Sequence, residues 1–405
     1  MINSLSGGVY IMLLRLPLVL ARYLHNGHLR LIFFALIVLL LGGRLLMYPW
    51  QDDVQVCFKD KQQLENAESL TTPETSSPDP PIILLEDVLQ ADRKPAPGRT
   101  IFFHETSCHR PKRKRPRHGH NPELQFNMLQ LTARQACAIE SAALHNPNFQ
   151  IFVLFASPTY RYNSNSSQRQ PPLIEAILSY KNVQLRRLNL WRYAAGTPIE
   201  AWLEDGQLFR SSYLFSHISD FLRYLTLYRY GGIYLDMDVV VLRSMEDVPP
   251  NYTGAESFTH LAAGVMSLAP TGFGHEIAAS CLRDFQQNFD GGDWGNNGPG
   301  VITRVAQQIC GTKDITLMLD DRKRCMGFKV FDRNAFYAVP WKHWRHFFEP
   351  QLLEQTLAHT KDSYVVHVWN KHSKQLAIKV GSSSAYGKYA ELHCPKSYAA
   401  AGEYF

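Results

Sequence analysis

Two aspartates one residue apart, Asp236 and Asp238, follow an apolar run, Ile233–Tyr234–Leu235. In extended backbone, residues two apart point the same way, so their carboxylates converge. Two like charges at the end of a buried strand are costly unless a cation compensates them. A divalent metal does so, and its remaining positions accept phosphate oxygens. Asp220 and Arg223 lie three apart in the preceding segment and share a helical face that could reach the same place. Arginine makes bidentate contacts with hydroxyls or phosphate. Alone, an Asp-x-Asp triplet is a frequent surface turn, and Asp220 with Arg223 a plain helical ion pair. Their order is more informative: helix, glycine pair, buried strand, paired acids.

The segment 216–242, SHISDFLRYLTLYRYGGIYLDMDVVVL, supplies these elements. Ile218, Phe221, Leu222 and Leu225 mark one apolar helical face, with Ser216 as its expected N-cap. Gly231 and Gly232 stop the helix. Upstream, residues 99–103, 151–155 and 183–188 read as buried strands, with a helix over 127–144. Strands alternating with helices predict an α/β fold, a mixed and mainly parallel central sheet with flanking helices. Ligands of such sheets bind at the carboxyl ends of strands. His104, Glu105 and Thr106 follow the first strand and are therefore candidates for a nucleotide pocket, against a plain polar turn.

Of 405 residues, 45% are hydrophobic and 19% charged, which is globular composition. The net charge of +6 is concentrated in Lys112, Arg113, Lys114, Arg115 and Arg117. The rest is nearly balanced, which argues against a nucleic-acid partner. The basic run reads as a solvated loop; alternatives are contact with anionic headgroups or dibasic processing at 110–113. The seven cysteines lack zinc spacing and suit an oxidising compartment. The expected pairs are Cys108–Cys137, Cys310–Cys325 and Cys281–Cys394, with Cys57 spare and available to link a homodimer through the stem.

Residues 31–50 are apolar apart from Arg44 and long enough to cross a bilayer. Arg15, Arg22 and Arg30 precede them, and Asp52 and Asp53 follow, so the N-terminus is expected in the cytosol. The predicted order is a cytoplasmic segment 1–30, an uncleaved anchor 31–50, a luminal stem 51–97 rich in Pro, Ser, Thr and acids, and a catalytic domain 98–405. Asn165 and Asn251 open glycosylation sequons.

The pattern SDFLRYLTLYRYGGIYLDMD resembles the α1,4-glycosyltransferases of glycosyltransferase family 32. IFFHETS (101–107), ACAIESAA (136–143), WGNNGPGVITRV (294–305) and VHVWNKHS (366–373) agree with it, so the resemblance spans about residue 99 to the C-terminus. It implies a GT-A fold, a UDP-sugar donor, Mn²⁺, a Golgi membrane location and a glycolipid acceptor. By position it implies that Asp236 and Asp238 are the metal motif and that Asp220 and Arg223 hold donor hydroxyls. His367, otherwise read as a structural histidine at a strand end, becomes a further metal ligand; Lys371 faces the departing diphosphate and Asn297 lies near the anomeric carbon. Trp341, Trp344, Phe347, Phe348 and Trp369 are core residues or sugar platforms. Two departures from the family pattern, Ala263 in place of an asparagine and Asn296–Asn297 before Gly298–Pro299, leave the donor open between galactose and N-acetylgalactosamine. Other readings are UDP-GlcNAc or mannosyl transfer to protein-borne glycans, and a catalytically silent Golgi glycan-binding protein.

Overall fold

The computed structural model describes residues 82–107, 128–165 and 167–405. The chain runs through β1 (Ile82–Leu84), β2 (Thr100–Glu105), α1 (Ala133–His145), β3 (Gln150–Phe155), β4 (Tyr160–Tyr162), α2 (Pro172–Leu178) and β5 (Val183–Arg187). It continues with α3 (Leu190–Ala194), α4 (Glu200–Glu204), α5 (Leu214–Tyr230), β6 (Gly232–Leu235), β7 (Val239–Val241), β8 (Tyr252–Ala255) and β9 (Leu261–Leu268). The last part comprises α6 (Gly272–Asn288), α7 (Pro299–Cys310), β10 (Lys329–Phe331), α8 (Leu353–Thr360), β11 (Val365–His367), α9 (Asn370–Ser373), α10 (Ala385–His393) and α11 (Pro395–Ala400).

Seven strands form the central sheet in the order β10-β8-β9-β6-β2-β3-β5. β2, β3, β5 and β6 pair in parallel, as do β8 and β10, while β9 runs antiparallel to both β6 and β8. This is the mixed, mainly parallel α/β sheet expected. β3 is apolar after Gln150 and β2 carries an apolar centre, Ile101–Phe102–Phe103; both are buried almost throughout, as strands covered on both faces must be. α1 starts where Thr132 and Gln135 form a reciprocal capping box.

The glycine pair turns α5 back into the sheet. Gly231 and Gly232 have φ of 60° and 87°, and a Cβ on Gly232 would lie 2.3 Å from the Thr100 carbonyl. Only glycine meets both the conformation and the contact.

Several expectations change. α5 begins at Leu214, after Tyr213, so Ser216 lies inside the helix and does not cap it. The folded body starts before residue 98: β1 pairs with β4, Leu85 and Val88 are buried, and Asp87 meets Arg192 at 3.3 Å. Cys137 bonds Cys394 and Cys310 bonds Cys325, whereas Cys281 is a buried free thiol. The expected Cys108–Cys137 and Cys281–Cys394 pairs are thus replaced, because α1 and the end of α10 pack together and Cys281 points into the core from α6. Cys57, Cys108, the basic run and the anchor lie outside the described residues. Among the described residues no helix is long and apolar enough to cross a membrane.

Candidate active site

Asp236 leaves the end of β6, its N–H donating to the Gly264 carbonyl at 2.9 Å on β9. Met237 turns the other way and packs on the core, so the period-two alternation places both aspartates on one side. β7 then pairs with β11, setting His367 opposite Val239, while the Val368 N–H donates to the Asp238 carbonyl at 2.9 Å. This pairing carries a side chain from far along the sequence to the aspartates. His367 Nε2 lies 3.5 Å from Asp236 Oδ2 and 3.1 Å from Asp238 Oδ1.

Each carboxylate is held from a second direction. Tyr234 Oη donates to Asp236 Oδ1 at 2.7 Å, and Arg223 Nη1 lies 3.3 Å from that oxygen. The Asn370 N–H donates to Asp238 Oδ2 at 2.8 Å. Trp369, just before it, takes a left-handed φ of 56°, unusual for a bulky residue, and its ring packs 4.4 Å from that of His367. Its indole N–H donates to the Val339 carbonyl at 2.9 Å, which anchors the turn.

The electrostatics follow from this wiring. Burial works to raise the Asp236 carboxyl, but Arg223, then His367 and Tyr234, outweigh it and hold it well below the usual range. Burial and the neighbouring Asp236 charge raise Asp238. Burial would lower His367, yet Asp238 and Asp236 raise it. Asp220 is pushed up to about 7, by burial first and by Asp236, against its ion pair with Arg223. Arg223 Nη2 meets Asp220 Oδ1 at 3.0 Å and Nη1 donates to the Ala263 carbonyl at 2.9 Å.

Asp220, Arg223, Asp236, Asp238 and His367 line one cavity of about 560 Å³, together with Thr106, Glu256, Ala262, Ala263, Gly264, Trp294, Trp341, Trp369 and Lys371. Lys371 Nζ sits 3.3 Å from the centre of the Trp294 ring, so one contact spans the mouth. Two glycines make room for acids. A Cβ on Gly264 would lie 2.7 Å from Asp236 Oδ2 and 3.3 Å from His367 Cδ2. On Gly298 it would lie 2.3 Å from Asp220 Oδ1.

Three expected site residues are placed elsewhere. His104 and Glu105 belong to β2 itself. His104 is buried against Thr226 at 3.0 Å, and burial pushes its imidazole down to about 3. Glu105 accepts from the Ser107 N–H at 2.8 Å and from Gln135, away from the cavity. Thr106 alone of the three lines it. Asn297 is fully buried: its amide clamps both backbone groups of Asp290, at 3.0 and 2.7 Å, and contacts the His217 ring. It shapes the loop that carries Trp294 and does not reach the cavity. Of the C-terminal aromatics, Trp341 and Trp369 line the cavity, Trp344 packs edge-on to Phe348, and Phe347 is core. Asn165 is exposed, whereas Asn251 is held in a left-handed turn by accepting the Ala269 N–H at 2.9 Å. Tyr234, Gly264 and Glu256 escaped the sequence reading. Tyr234 sits two residues before Asp236 on the same strand face, a detectable signal; Gly264 and Glu256 reach the site only through strand pairing.

Residues 132–255 match a glycosyltransferase sugar-binding region containing a DXD motif, and residues 270–401 match the α1,4-glycosyltransferase conserved region. The rat lactosylceramide 4-alpha-galactosyltransferase is 30% identical over 76% of this chain and 77% of its own length. The human alpha-1,4-N-acetylglucosaminyltransferase is 25% identical over 65% of this chain and 74% of its own. Among solved structures, the bifunctional glycosyltransferase WbbM aligns over 77% of this chain and 52% of its own, at 12% identity and a TM-score of 0.40. The chain belongs to the α1,4-glycosyltransferase family and is a glycosyltransferase of hexosyl type.

Proposed function

We propose that the protein is a retaining, Mn²⁺-dependent α1,4-glycosyltransferase of GT-A type. It moves galactose or N-acetylgalactosamine from a UDP-sugar to the terminal sugar of a glycosphingolipid. The observation that carries this reading is the convergence of Asp236, Asp238 and His367 beside the Asp220–Arg223 pair and Lys371 in one cavity. Two carboxylates and an imidazole, with ligand atoms within 4.8 Å of one another, are a donor set suited to a divalent transition metal. The cradle that a Gly264 Cβ would crowd fits the same group. A divalent cation there supplies Lewis-acid stabilisation of the diphosphate charge that grows as UDP departs.

The chain's own residues do the rest. Asp220, fixed by Arg223 and by contact with Gly298, offers oxygens to donor-sugar hydroxyls. Lys371 directs its ammonium at the leaving diphosphate once Trp294 releases it. The bond from the anomeric carbon to phosphate oxygen breaks and a bond to the acceptor oxygen forms on the same face. The acceptor proton passes to the departing phosphate oxygen, so no separate carboxylate base is required. Ala262, Ala263 and Gly264 keep the wall beside Arg223 small, which supports a donor with room for an N-acetyl group.

We place the anchor at 31–50 and the catalytic body in the Golgi lumen, a type II arrangement consistent with the two disulfides. The test is a panel of UDP-Gal, UDP-GalNAc and UDP-GlcNAc against short glycolipids, with and without Mn²⁺. Mn²⁺-dependent transfer from one of the first two is expected. Transfer that ignores the metal, or selective use of UDP-GlcNAc, would overturn the reading.

A further inference from the structure

One acid of the cavity stands without a partner. Asp220 is paired with Arg223, Asp236 with Arg223 and Tyr234, and Asp238 accepts from the Asn370 N–H. Glu256 lines the same cavity, half-buried, and among the described residues its carboxylate makes no hydrogen bond and no ion pair. Only its backbone is engaged, the N–H donating to the His260 carbonyl at 3.0 Å. Burial raises its carboxyl, against the pull of His367, His260 and Lys371. Lys371 does not close on it and rests on the Trp294 ring instead. A half-buried carboxylate without donors is costly, so the position suits a ligand that brings them.

The backbone fixes where this carboxylate stands. β8 and β9 lose register between Thr253, opposite Met266, and Gly254, opposite Ala262. Such irregularities re-aim the side chains that follow. Gly254 lets the end of β8 pass close against aromatic rings: a Cβ there would lie 2.6 Å from Phe336 Cδ2 and 3.1 Å from Tyr337 Cε2. Glu256 comes two residues later, and residues 257–260 after it are exposed. The carboxylate therefore stands where the cavity opens to solvent, on a strand end that is held in place. It lies outside the Asp236–Asp238–His367 set, and its charge repels a diphosphate.

We propose that Glu256 selects the acceptor. Its carboxylate, which can only accept, takes a hydrogen bond from a hydroxyl beside the one that is glycosylated on the acceptor's terminal sugar. A sugar lacking that hydroxyl leaves the carboxylate unpaired and is rejected. The inference rests on the reading of the cavity as a site of α1,4 sugar transfer.

The test uses the full chain with the UDP-sugar it uses best. The acceptors are octyl β-lactoside, octyl β-N-acetylgalactosaminide, and forms of each lacking the 3- or the 6-hydroxyl of the terminal sugar. The parent chain is expected to lose about tenfold or more in kcat/KM on one of the two deoxy forms. E256A should lose about as much on the intact acceptor and show no further loss on that deoxy form, while KM for the UDP-sugar does not move. Additive losses from the variant and the deoxy acceptor, or a change confined to the donor KM, overturn the proposal. Saturation-transfer NMR of the intact glycosides with UDP and Mg²⁺ gives a readout without activity. Signal with the parent chain should be lost in E256A; equal signals from both, or none from the parent, overturn the proposal. A parent chain that binds the glycosides in this way but transfers no sugar to them would sink the transfer reading, and the NMR comparison would still decide Glu256.

Discussion

Asp238 carries the heaviest demand of any single side chain. It faces His367 at 3.1 Å and accepts from the Asn370 N–H at 2.8 Å. Asp238→Asn keeps the shape and that hydrogen bond while removing the charge. It should lower Mn²⁺-dependent transfer by about two to three orders of magnitude and leave the melting temperature close to that of the parent chain. Turnover near the parent level would remove Asp238 from the metal assignment. Asn297 gives the opposite pattern, since its work is structural. Asn297→Ala leaves the Asp290 backbone groups unpaired and should cost about 1–3 kcal/mol in denaturant melts. A large activity loss without loss of stability would restore it to the catalytic list.

At the scale of elements, β9 and β11 decide the geometry. β9 holds β6 in register, supplies the carbonyl that Arg223 grips, and passes Gly264 beneath Asp236. Gly264→Ala inserts a methyl where Asp236 and His367 leave no space. The Mn²⁺ concentration for half-maximal activity should rise roughly 10–100-fold, with a smaller effect at saturating metal. An unchanged metal dependence would show that the cradle yields. Enlarging Ala263 to Val should penalise UDP-GalNAc more than UDP-Gal, by about tenfold in the ratio of kcat/KM. A ratio that does not move would separate this wall from the donor's N-acetyl group.

Over the whole molecule, the C-terminal helices are tied back to α1. Cys137–Cys394 spans a sequence separation of 257, and His145 Nε2 lies 2.8 Å from His393 Nδ1 at the same junction. Removing the disulfide should cost about 2–4 kcal/mol, whereas Cys281→Ala should leave both bridges intact. Burial lowers His145; burial and the proximity of His145 lower His393 to about 4. The unfolded chain, with ordinary imidazoles near 6.5, then binds more protons than the native one. Stability is therefore fully present above about 6.5 and falls as the pH drops toward 4. Urea melts at neutral and acidic pH should show this loss, and His393→Asn should flatten it. Greater stability at the acidic end of that window would contradict the assignment.

The sequence by itself determined β2, β3, β5, β6 and β7, the glycine stop and the side of β6 on which Asp236 and Asp238 emerge. All are local consequences of apolar period, left-handed backbone and alternation. It also marked Asp220 with Arg223, because three-residue spacing on a helix is short-range geometry. Only the tertiary structure decided that β11 pairs with β7 and so delivers His367 to the aspartates. It also sent Glu105 to Gln135, confined Asn297 to its loop and joined Cys137 to Cys394. Those outcomes depend on which distant elements pack together, and no spacing along the chain encodes that directly. The Asp-x-Asp pair is legible as two converging charges; which side chains meet those charges is settled by long-range strand pairing.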